Sequence, residues 1–362
     1  MTISSMNSPA ISVIIPTKNR IELLQQALDS VGNQTFKDWE VLVVDDGSNN
    51  ETVEQLLKIS QAEPRIRYVK RQRQQTGASA CRNEGTEIAQ GKYIIYLDSD
   101  DCLAPTALEN RFQEMEQHPE LDLGIFGCIL FRQHPGDMEL LWNSDKDIDD
   151  IDRFLEIDPP WQTTSPIWRR DALSKIGLWD EYVPSWQDWE FHLRALIGNL
   201  KYRRFSQGDC FWRVPQIESI GLKSKSASHL KSHEALFARM LQRFVAAGLL
   251  TNSRKFLFAR LYLWLAETWI AEKGNEEALR VWQVCFEQDL VDKEVYLQGV
   301  RYLKVLGFWY FKLSDDSMQL SLRKIMRRLT RIYFNRILPS GLILEWSKTL
   351  HQTTIRDSHS VR

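Results

Sequence analysis

The sequence predicts an α/β fold, in which helices flank a mostly parallel sheet, followed by an all-helical C-terminal domain. Short β-branched runs alternate with helical patterns between residues 11 and 131, which is the arrangement of βαβ units. From about residue 233 the chain has long helical periodicities and little Pro or Gly. We therefore expect a first domain over residues 1–222 and a helical domain over residues 223–362.

The elements of the first domain follow one another in a regular order. Strands are predicted at residues 11–16, 40–44, 66–69, 93–97 and 123–131, and helices at residues 21–32, 51–60 and 79–89. The acidic stretch 143–160 predicts a surface excursion, and the polar stretch 216–232 predicts a linker. A helical hairpin is expected over residues 257–285, with its turn at Gly274-Asn275.

Polar and acidic residues follow three of the predicted strands directly. These are Pro16-Thr17, Asp45-Asp46 and the run Asp98–Asp101. Ligands of parallel sheets bind outside the carboxyl ends of the strands, so we expect these groups to form one site. Asp98-Ser99-Asp100 offers carboxylates suited to Mg²⁺ or Mn²⁺, which take further ligands from phosphate oxygens. Taken alone, the run is equally compatible with a solvated acidic turn.

The bulk properties describe an ordinary globular protein. A net charge of -2 gives no general attraction to nucleic acid, and no nucleic-acid partner is expected. The five cysteines are scattered singly, without zinc-ligand or redox spacing. The polar first ten residues do not resemble a signal peptide, and no run approaches the ~20 apolar residues of a membrane span. We therefore expect a reduced, cytoplasmic protein.

Five motifs occur in an order and spacing that resemble the family 2 glycosyltransferases, which have the GT-A fold and invert the anomeric carbon. The resemblance covers roughly residues 10–222. The matching motifs are Pro16-Thr17-Lys18-Asn19-Arg20, Val43-Val44-Asp45-Asp46-Gly47-Ser48, Gly77 to Gly85 with Arg82-Asn83, Gly91-Lys92-Tyr93 leading to Leu97-Asp98-Ser99-Asp100-Asp101, and Ile176 to Glu181 followed by Gln187-Asp188-Trp189-Glu190.

The resemblance implies a role for each matching residue in binding a nucleotide-diphosphate sugar. Asp100 would be the principal ligand of a Mn²⁺ or Mg²⁺ ion, with Asp98 nearer the ribose and the metal. Arg82 would lie near the base or the diphosphate as a charge partner. The remaining donor-binding residues implied by the motifs are Pro16, Thr17, Asn19, Asp45, Asp46 and Ser99.

Asp188 matches the family's general base, which would remove the proton from an acceptor hydroxyl. Its usual acidic neighbour is replaced by Gln187, which removes a like charge that would raise the Asp188 pKa. A second departure is Pro215, which stands where the family often has a His that holds the metal or diphosphate. We consider Arg213, His229 and His233 as substitutes for that His.

The acceptor is expected to be a glycan or a lipid-linked oligosaccharide. Flat aromatic side chains match the apolar faces of sugar rings, and Trp186 and Trp161 are our candidates for acceptor contacts, although Trp is usually buried. The segment 321–336 is basic and amphipathic, which is compatible with peripheral binding to the inner face of the membrane. The alternative is a helix packed on the domain with a solvated basic face.

Two other functions compete with glycosyl transfer. A nucleotidyltransferase also places acidic residues at the end of a parallel sheet, but the Asp188 motif and the absence of a Gly-rich phosphate loop argue against it. A catalytically silent GT-A-like binding module is compatible with the loss of the expected His. Binding of a nucleotide sugar separates this module from an enzyme.

Overall fold

The computed structural model describes residues 8–143, 145–214, 226–312 and 317–344. Eight strands form one sheet, in the order β3-β2-β1-β4-β7-β6-β8-β5. The strands are β1 Ile11–Thr17, β2 Trp39–Asp45, β3 Ile66–Lys70, β4 Tyr93–Tyr96, β5 Cys102–Leu103, β6 Leu123–Phe131, β7 Pro166–Arg169 and β8 Tyr202–Arg213.

The helices of the first half of the chain lie between these strands, and those of the second half follow one another. The former are α1 Ile21–Gly32, α2 Asn50–Ala62, α3 Ala78–Ile88, α4 Ala107–Gln117, α5 Asp150–Leu155, α6 Arg170–Ile176 and α7 Gln187–Ile197. The latter are α8 Ala227–Ala246, α9 Asn252–Ala271, α10 Asn275–Glu287, α11 Lys293–Lys312 and α12 Ser317–Phe334.

The central strands β1 and β2 are buried along their whole length, because their apolar residues face helices on both sides of the sheet. They pair in parallel, with Ile11 opposite Trp39 and Thr17 opposite Asp45. The chain places β2 and β3 on one side of β1 and then returns to place β4 on the other side. The strand order therefore reverses between β1 and β4, which is where open α/β sheets bind ligands.

The sheet is mixed beyond β4. Strand β7 is antiparallel to β4 and β6, and β5 is antiparallel to β8, whereas β6 and β8 are parallel. Strand β7 has only four residues and begins at Pro166, so its apolar run was too short to predict. The parallel pairs still dominate, as the sequence predicted.

The acidic stretch 143–160 is not simply a surface excursion, which corrects the prediction. It contains α5, whose Phe154 is buried and whose Asp150 accepts hydrogen bonds from Tyr202 at 2.7 Å and Arg204 at 3.0 Å. The backbone carbonyl of Phe154 accepts the indole N–H of Trp189 at 2.7 Å. These hydrogen bonds and the burial of Phe154 show that α5 packs into the core.

The C-terminal helices share a hydrophobic core with one face of the sheet. The predicted hairpin is present as α9 and α10, joined at Gly274. The linker predicted over residues 216–232 is wrong for residues 227–232, which belong to α8, and residues 216–225 lie outside the described ranges. None of the helices in the described ranges has both the length and the apolar character needed to cross a bilayer. All five cysteines are buried free thiols.

Helix α12 presents its two faces in an unexpected orientation. Its Arg331 bonds Glu267 of α9 at 2.5 Å, and Arg327 contacts the Tyr310 hydroxyl of α11 at 3.5 Å, so part of the basic face points inward. The residues exposed on the outward face include Leu322, Ile325, Leu329, Ile332 and Tyr333. The alternative considered from the sequence is that the basic face of this helix is solvated. That alternative is wrong for Arg327 and Arg331, which contact other helices.

Candidate active site at the carboxyl edge of the sheet

The structure brings together the polar residues that follow β1, β2 and β4. These strands are neighbours and parallel, so Thr17, Asp45 and Asp98 leave the sheet at the same edge. The backbone N–H of Asp46 donates to the carbonyl of Thr17 at 2.9 Å, which holds the first two loops together. Pro16 and Thr17 are buried at the end of β1.

Asn19 joins the loop after β1 to the loop after β2. It adopts a left-handed backbone with φ 52, which Asn tolerates better than most residues. Its side-chain oxygen accepts the N–H of Asn49 at 2.8 Å, and its own N–H donates to the Ser48 hydroxyl at 2.9 Å. Asn19 therefore ties the loop after β1 to the loop after β2.

The two aspartates after β2 have different partners. Asp45 is buried and accepts the N–H of Ser48 at 3.0 Å, so it closes its own turn. Asp46 accepts the Arg71 guanidinium at 2.7 Å and the N–H of Gly77 at 2.9 Å. Asp46 thus links the loop after β2 to the start of α3, the helix that carries Arg82. Arg71 has no motif of its own, and sequence reasoning missed it.

Arg82 connects the carboxylate after β4 to the start of α7. It is only 4% exposed, and its guanidinium donates to Asp98 at 2.6 Å and to the side-chain oxygen of Gln187 at 3.3 Å. The same guanidinium lies over the ring of Trp179, 4.4 Å from its centroid. This contact fixes the cation between the predicted donor residues and the residue adjacent to the predicted base.

Asp188 is partly buried at the N-terminus of α7. Its carboxylate accepts the backbone N–H of Trp189 at 2.9 Å, and no side chain of the described residues donates to it. Burial raises the pKa of Asp188 above its ordinary value; the nearby Asp98 also raises it, while the Trp189 N–H and Arg82 oppose the shift. Replacing the acidic neighbour by Gln187 therefore does not remove the upward shift, because burial and Asp98 supply it.

Asp98 and Asp100 have partly exposed side chains, at 32% and 36%, and each faces one arginine. Arg20 lies 3.2 Å from Asp100. Burial and the charge of Asp98 raise the pKa of Asp100, while Arg20 lowers it. Ser99 between them is buried. Arg20 belongs to a motif noted in the sequence, but its contact with Asp100 was not predicted.

Asp101 is the buried support of this loop. It accepts the Arg213 backbone N–H at 3.0 Å and the Thr164 hydroxyl at 3.2 Å. Burial, followed by the charges of Asp98 and Asp100, raises its pKa well above the ordinary value. The Arg213 side chain donates to the Asp100 carbonyl at 2.9 Å and to Gln26 at 2.7 Å. Arg213 thus holds the acidic loop, residues 98–101, through the Asp101 side chain and the backbone carbonyl of Asp100.

The candidates for the expected His have other partners. Pro215 lies outside the described residues. His229 bonds Ser226 at 2.7 Å, and the fully buried His233 bonds the Ser185 hydroxyl at 2.9 Å. No group of three or more His, Cys, Asp or Glu side chains suited to a metal occurs in the described part of the chain. Two hard carboxylates at one loop nevertheless match the few protein ligands that Mg²⁺ or Mn²⁺ uses beside a diphosphate.

The two acceptor candidates differ. Trp161 is 2% exposed and packs against Phe154, His192 and Tyr202, so the expectation that it faces the cleft is wrong. Its large apolar surface is better buried in the core than left at the surface. Trp186 is half-buried immediately before α7 and stacks on Trp264 at 5.0 Å.

The chain is similar in sequence to known glycosyltransferases. Residues 12–175 match the family model described as Glycosyl transferase family 2. The uncharacterized glycosyltransferase MJ1057 of Methanocaldococcus jannaschii is 30% identical over 221 residues, which are 59% of this chain and 73% of that protein. The GalNAc(5)-diNAcBac-PP-undecaprenol beta-1,3-glucosyltransferase of Campylobacter jejuni is 37% identical over 109 residues, which are 30% of this chain and 35% of that protein.

The fold also resembles a solved structure over most of its length. The structure of S. aureus TarS 1-349 in complex with UDP-GlcNAc superposes with a TM-score of 0.61 and 16% identity. The superposition covers 91% of this chain and 92% of that chain, so it extends into the C-terminal helices. The fold class predicted from the sequence is thereby confirmed.

Proposed function

The chain belongs to the family 2 glycosyltransferases, and on that premise we propose that it transfers a sugar from a nucleotide-diphosphate donor to an acceptor hydroxyl with inversion at the anomeric carbon. The observation that carries this proposal is the position of Arg82, which contacts both Asp98 and Gln187. Asp98, a proposed donor-binding residue, and Gln187, the neighbour of Asp188, thus bond the same Arg82 guanidinium. Both the curated relatives and the GT-A fold support a transferase.

The nucleotide is proposed to bind at the ends of β1 and β2. Pro16, Thr17 and Asn19 form one wall of this pocket, and Asp45 and Asp46 form the other. Asp46 is held by Arg71 and by the start of α3, so its position does not depend on a ligand. This preorganisation favours binding, because little side-chain freedom is lost on association. Ser99 and Asp98 complete the donor site beyond β4.

A Mn²⁺ or Mg²⁺ ion is proposed to bind Asp100, with Asp98 as its second protein carboxylate. When bound, the cation would neutralise charge on the departing nucleotide diphosphate. Arg20 and Arg82 already place positive charge at these carboxylates, at 3.2 and 2.6 Å. These arginines would then contribute to the same electrostatic stabilisation.

Asp188 is proposed to remove the proton from the acceptor hydroxyl as that oxygen attacks the anomeric carbon. General base catalysis of this kind contributes about 10²–10⁴-fold in rate. Trp186 precedes Asp188 and remains partly exposed, so it stays our candidate for an acceptor contact. The acceptor is proposed to be a glycan or a lipid-linked oligosaccharide.

Calorimetric titration with several nucleotide sugars, with and without Mn²⁺, tests the donor site, and mass spectrometry of the products tests transfer. Asp188→Asn should lower transfer by about 10²–10⁴-fold and leave donor affinity nearly unchanged. A chain that binds no nucleotide sugar would be a silent module, and one that consumes nucleoside triphosphates would be a nucleotidyltransferase. An Asp188→Asn enzyme with most of its turnover would remove Asp188 from the base role.

Peripheral contact with the inner face of the membrane is part of the proposal, through the predicted segment 321–336. The outward side of α12 carries large apolar side chains, and its exposed charged residues there are Lys324 and Arg328. No acidic residue occurs between 317 and 344. An apolar face bordered only by positive charge is complementary to an anionic lipid surface.

Co-sedimentation with vesicles of phosphatidylcholine, alone or mixed with phosphatidylglycerol, tests this contact. Leu329→Glu should weaken binding to anionic vesicles at least about tenfold, since burying a Leu contributes roughly 1.5–3 kcal/mol. Leu57→Glu is the matched control, because Leu57 is exposed to a similar extent, 44% against 52%, on α2 of the sheet domain. Equal sedimentation with neutral and anionic vesicles, or an equal effect of both substitutions, would contradict the membrane contact.

A further inference from the structure

The residue before α7 has a strained backbone. Trp186 has φ 65 and ψ 30, in the left-handed region that bulky residues avoid. Such a conformation is unfavourable for a bulky side chain and persists only where the surroundings impose it. It lies two residues before Asp188, so the turn at Trp186 sets the direction from which the proposed base enters the site.

The surroundings that impose this turn come from the C-terminal helices. The Trp186 ring stacks on Trp264 of α9, with centroids 5.0 Å apart and planes at 24°. It also contacts the ring of His233 of α8, with centroids 5.0 Å apart. The preceding residue, Ser185, is buried, and its hydroxyl lies 2.9 Å from Nε2 of His233. Side chains of α8 and α9 thus pack against Ser185 and Trp186, the segment that precedes the proposed base.

His233 is suited to hold this segment as a neutral side chain. It is fully buried, and burial lowers its pKa to about 4, so the imidazole is uncharged at neutral pH. The rings around it are those of Trp186, Phe237 and Trp264. Within the described residues Nδ1 has no hydrogen-bond partner. The bond to Ser185 is therefore the polar contact that fixes the ring.

We propose that His233 is a positioning residue for glycosyl transfer: by bonding Ser185 and packing on Trp186, it maintains the left-handed turn that aims Asp188 at the acceptor. This inference rests on the proposed role of Asp188 as the base. It assigns the C-terminal helices a part in the chemistry, although none of their residues contacts Asp98, Asp100 or Arg82 through a described hydrogen bond or ion pair.

The expected effect is on turnover rather than on donor binding. The proposed donor residues lie on the loops after β1, β2 and β4 and, in the case of Arg82, on α3. No described hydrogen bond joins any of them to Ser185 or His233, which bond each other. A displacement of a reacting group by about 1 Å can cost roughly 10²-fold in rate. His233→Ala should therefore lower kcat by about 10- to 100-fold and leave the KM for the donor within about twofold. His233→Gln, whose Nε2 can reach Ser185, should recover much of the loss.

Two further variants separate positioning from general loss of packing. Ser185→Ala removes the same hydrogen bond with little change in volume and should reproduce the fall in kcat. Leu241→Ala removes a buried side chain from the same helix, α8, and should lower the free energy of unfolding without a comparable fall in kcat. All variants are measured in the full chain, with unfolding followed in urea.

The outcomes distinguish this inference from the proposed function. Unchanged kcat in both His233→Ala and Ser185→Ala, with Asp188→Asn inactive, would overturn the positioning role alone. An equal fall in kcat for Leu241→Ala, or no recovery in His233→Gln, would also overturn it. A fully active Asp188→Asn enzyme would overturn the proposed function instead.

Discussion

Replacing Arg82 with Met removes the cation that joins the Asp98 carboxylate to Gln187 at the start of α7. The Arg82 guanidinium lies 2.6 Å from Asp98, and two unit charges about 4 Å apart interact by about 4 kcal/mol at an effective dielectric constant near 20. Solvent screens Asp98, whose side chain is about a third exposed, and burial of Arg82 itself has a cost. We therefore expect the free energy of unfolding to fall by about 1–3 kcal/mol.

The same substitution should change the pH dependence of catalysis. Arg82 lowers the pKa of Asp188, so its removal raises that pKa further above the ordinary aspartate value. A general base is active only when it is deprotonated, and activity is lost as the pH falls through its pKa. The acid limb of kcat/KM should therefore move to higher pH in Arg82→Met.

The assays are urea unfolding at neutral pH and a pH profile of kcat/KM for the wild type and the variant. Arg82→Lys, which keeps a positive charge, should shift the acid limb less. Arg67→Gln serves as a control, because Arg67 pairs with Glu40 at 3.0 Å near the other end of the strands. An acid limb that stays in place, or moves to lower pH, in Arg82→Met would refute this account of the Asp188 environment.

Two other predictions concern the scaffold of the site. Arg111 and Asp209 form a fully buried ion pair with contacts of 2.6 and 2.8 Å. Arg111→Met leaves the carboxylate unpaired and should lower the free energy of unfolding in urea by about 3–5 kcal/mol, and adding Asp209→Leu should recover part of that loss. A double variant less stable than the single variant would contradict this prediction. A Cβ at Gly91 would lie 2.5 Å from the backbone nitrogen of Ser12, so Gly91→Ala should lower the melting temperature. Gly32→Ala is the control, because a Cβ at Gly32 meets nothing within 4 Å and should leave the melting temperature unchanged. Equal melting temperatures of the two variants would refute the packing argument.

The first half of the sheet could be predicted closely from the sequence. The apolar runs at β1 and β2 are rich in β-branched residues and end at Thr17 and Asp45, and the run at β6 is long and contains aromatic residues. The burial of α5 could not be predicted, because it depends on distant partners such as Tyr202 and Trp189. Strand β7 is short and depends in the same way on its pairing with β4 and β6. Local sequence does not contain those contacts.

The candidate site shows the same division. The acidic residues follow strands that the pattern identifies, so their convergence at one edge follows from the parallel topology. Arg82 was predicted near the donor, but its bond to Gln187 spans 105 residues of sequence. The attachment of Arg213 to the acidic loop and of His233 to Ser185 likewise depends on tertiary packing. Trp161 was wrongly expected to face the cleft, because the sequence alone does not show whether an aromatic side chain lies in the core or at the site.

The division of the chain into domains at residues 222 and 223 stays a proposal. The last strand ends at Arg213 and the first C-terminal helix begins at Ala227, which is compatible with a boundary between them. The C-terminal helices and the sheet share a hydrophobic core, and side chains of α8 and α9 contact Trp186, so the two proposed domains are in close contact.

A crystal structure of the chain with Mn²⁺ and a non-hydrolysable nucleotide sugar would test the central claim most directly. We predict an anomalous manganese peak within coordination distance of Asp100 and of the diphosphate oxygens, with the Asp188 carboxylate facing the anomeric carbon from the opposite side to the diphosphate. A diphosphate bound away from Asp98 and Asp100, or an Asp188 carboxylate directed away from the sugar, would contradict the account.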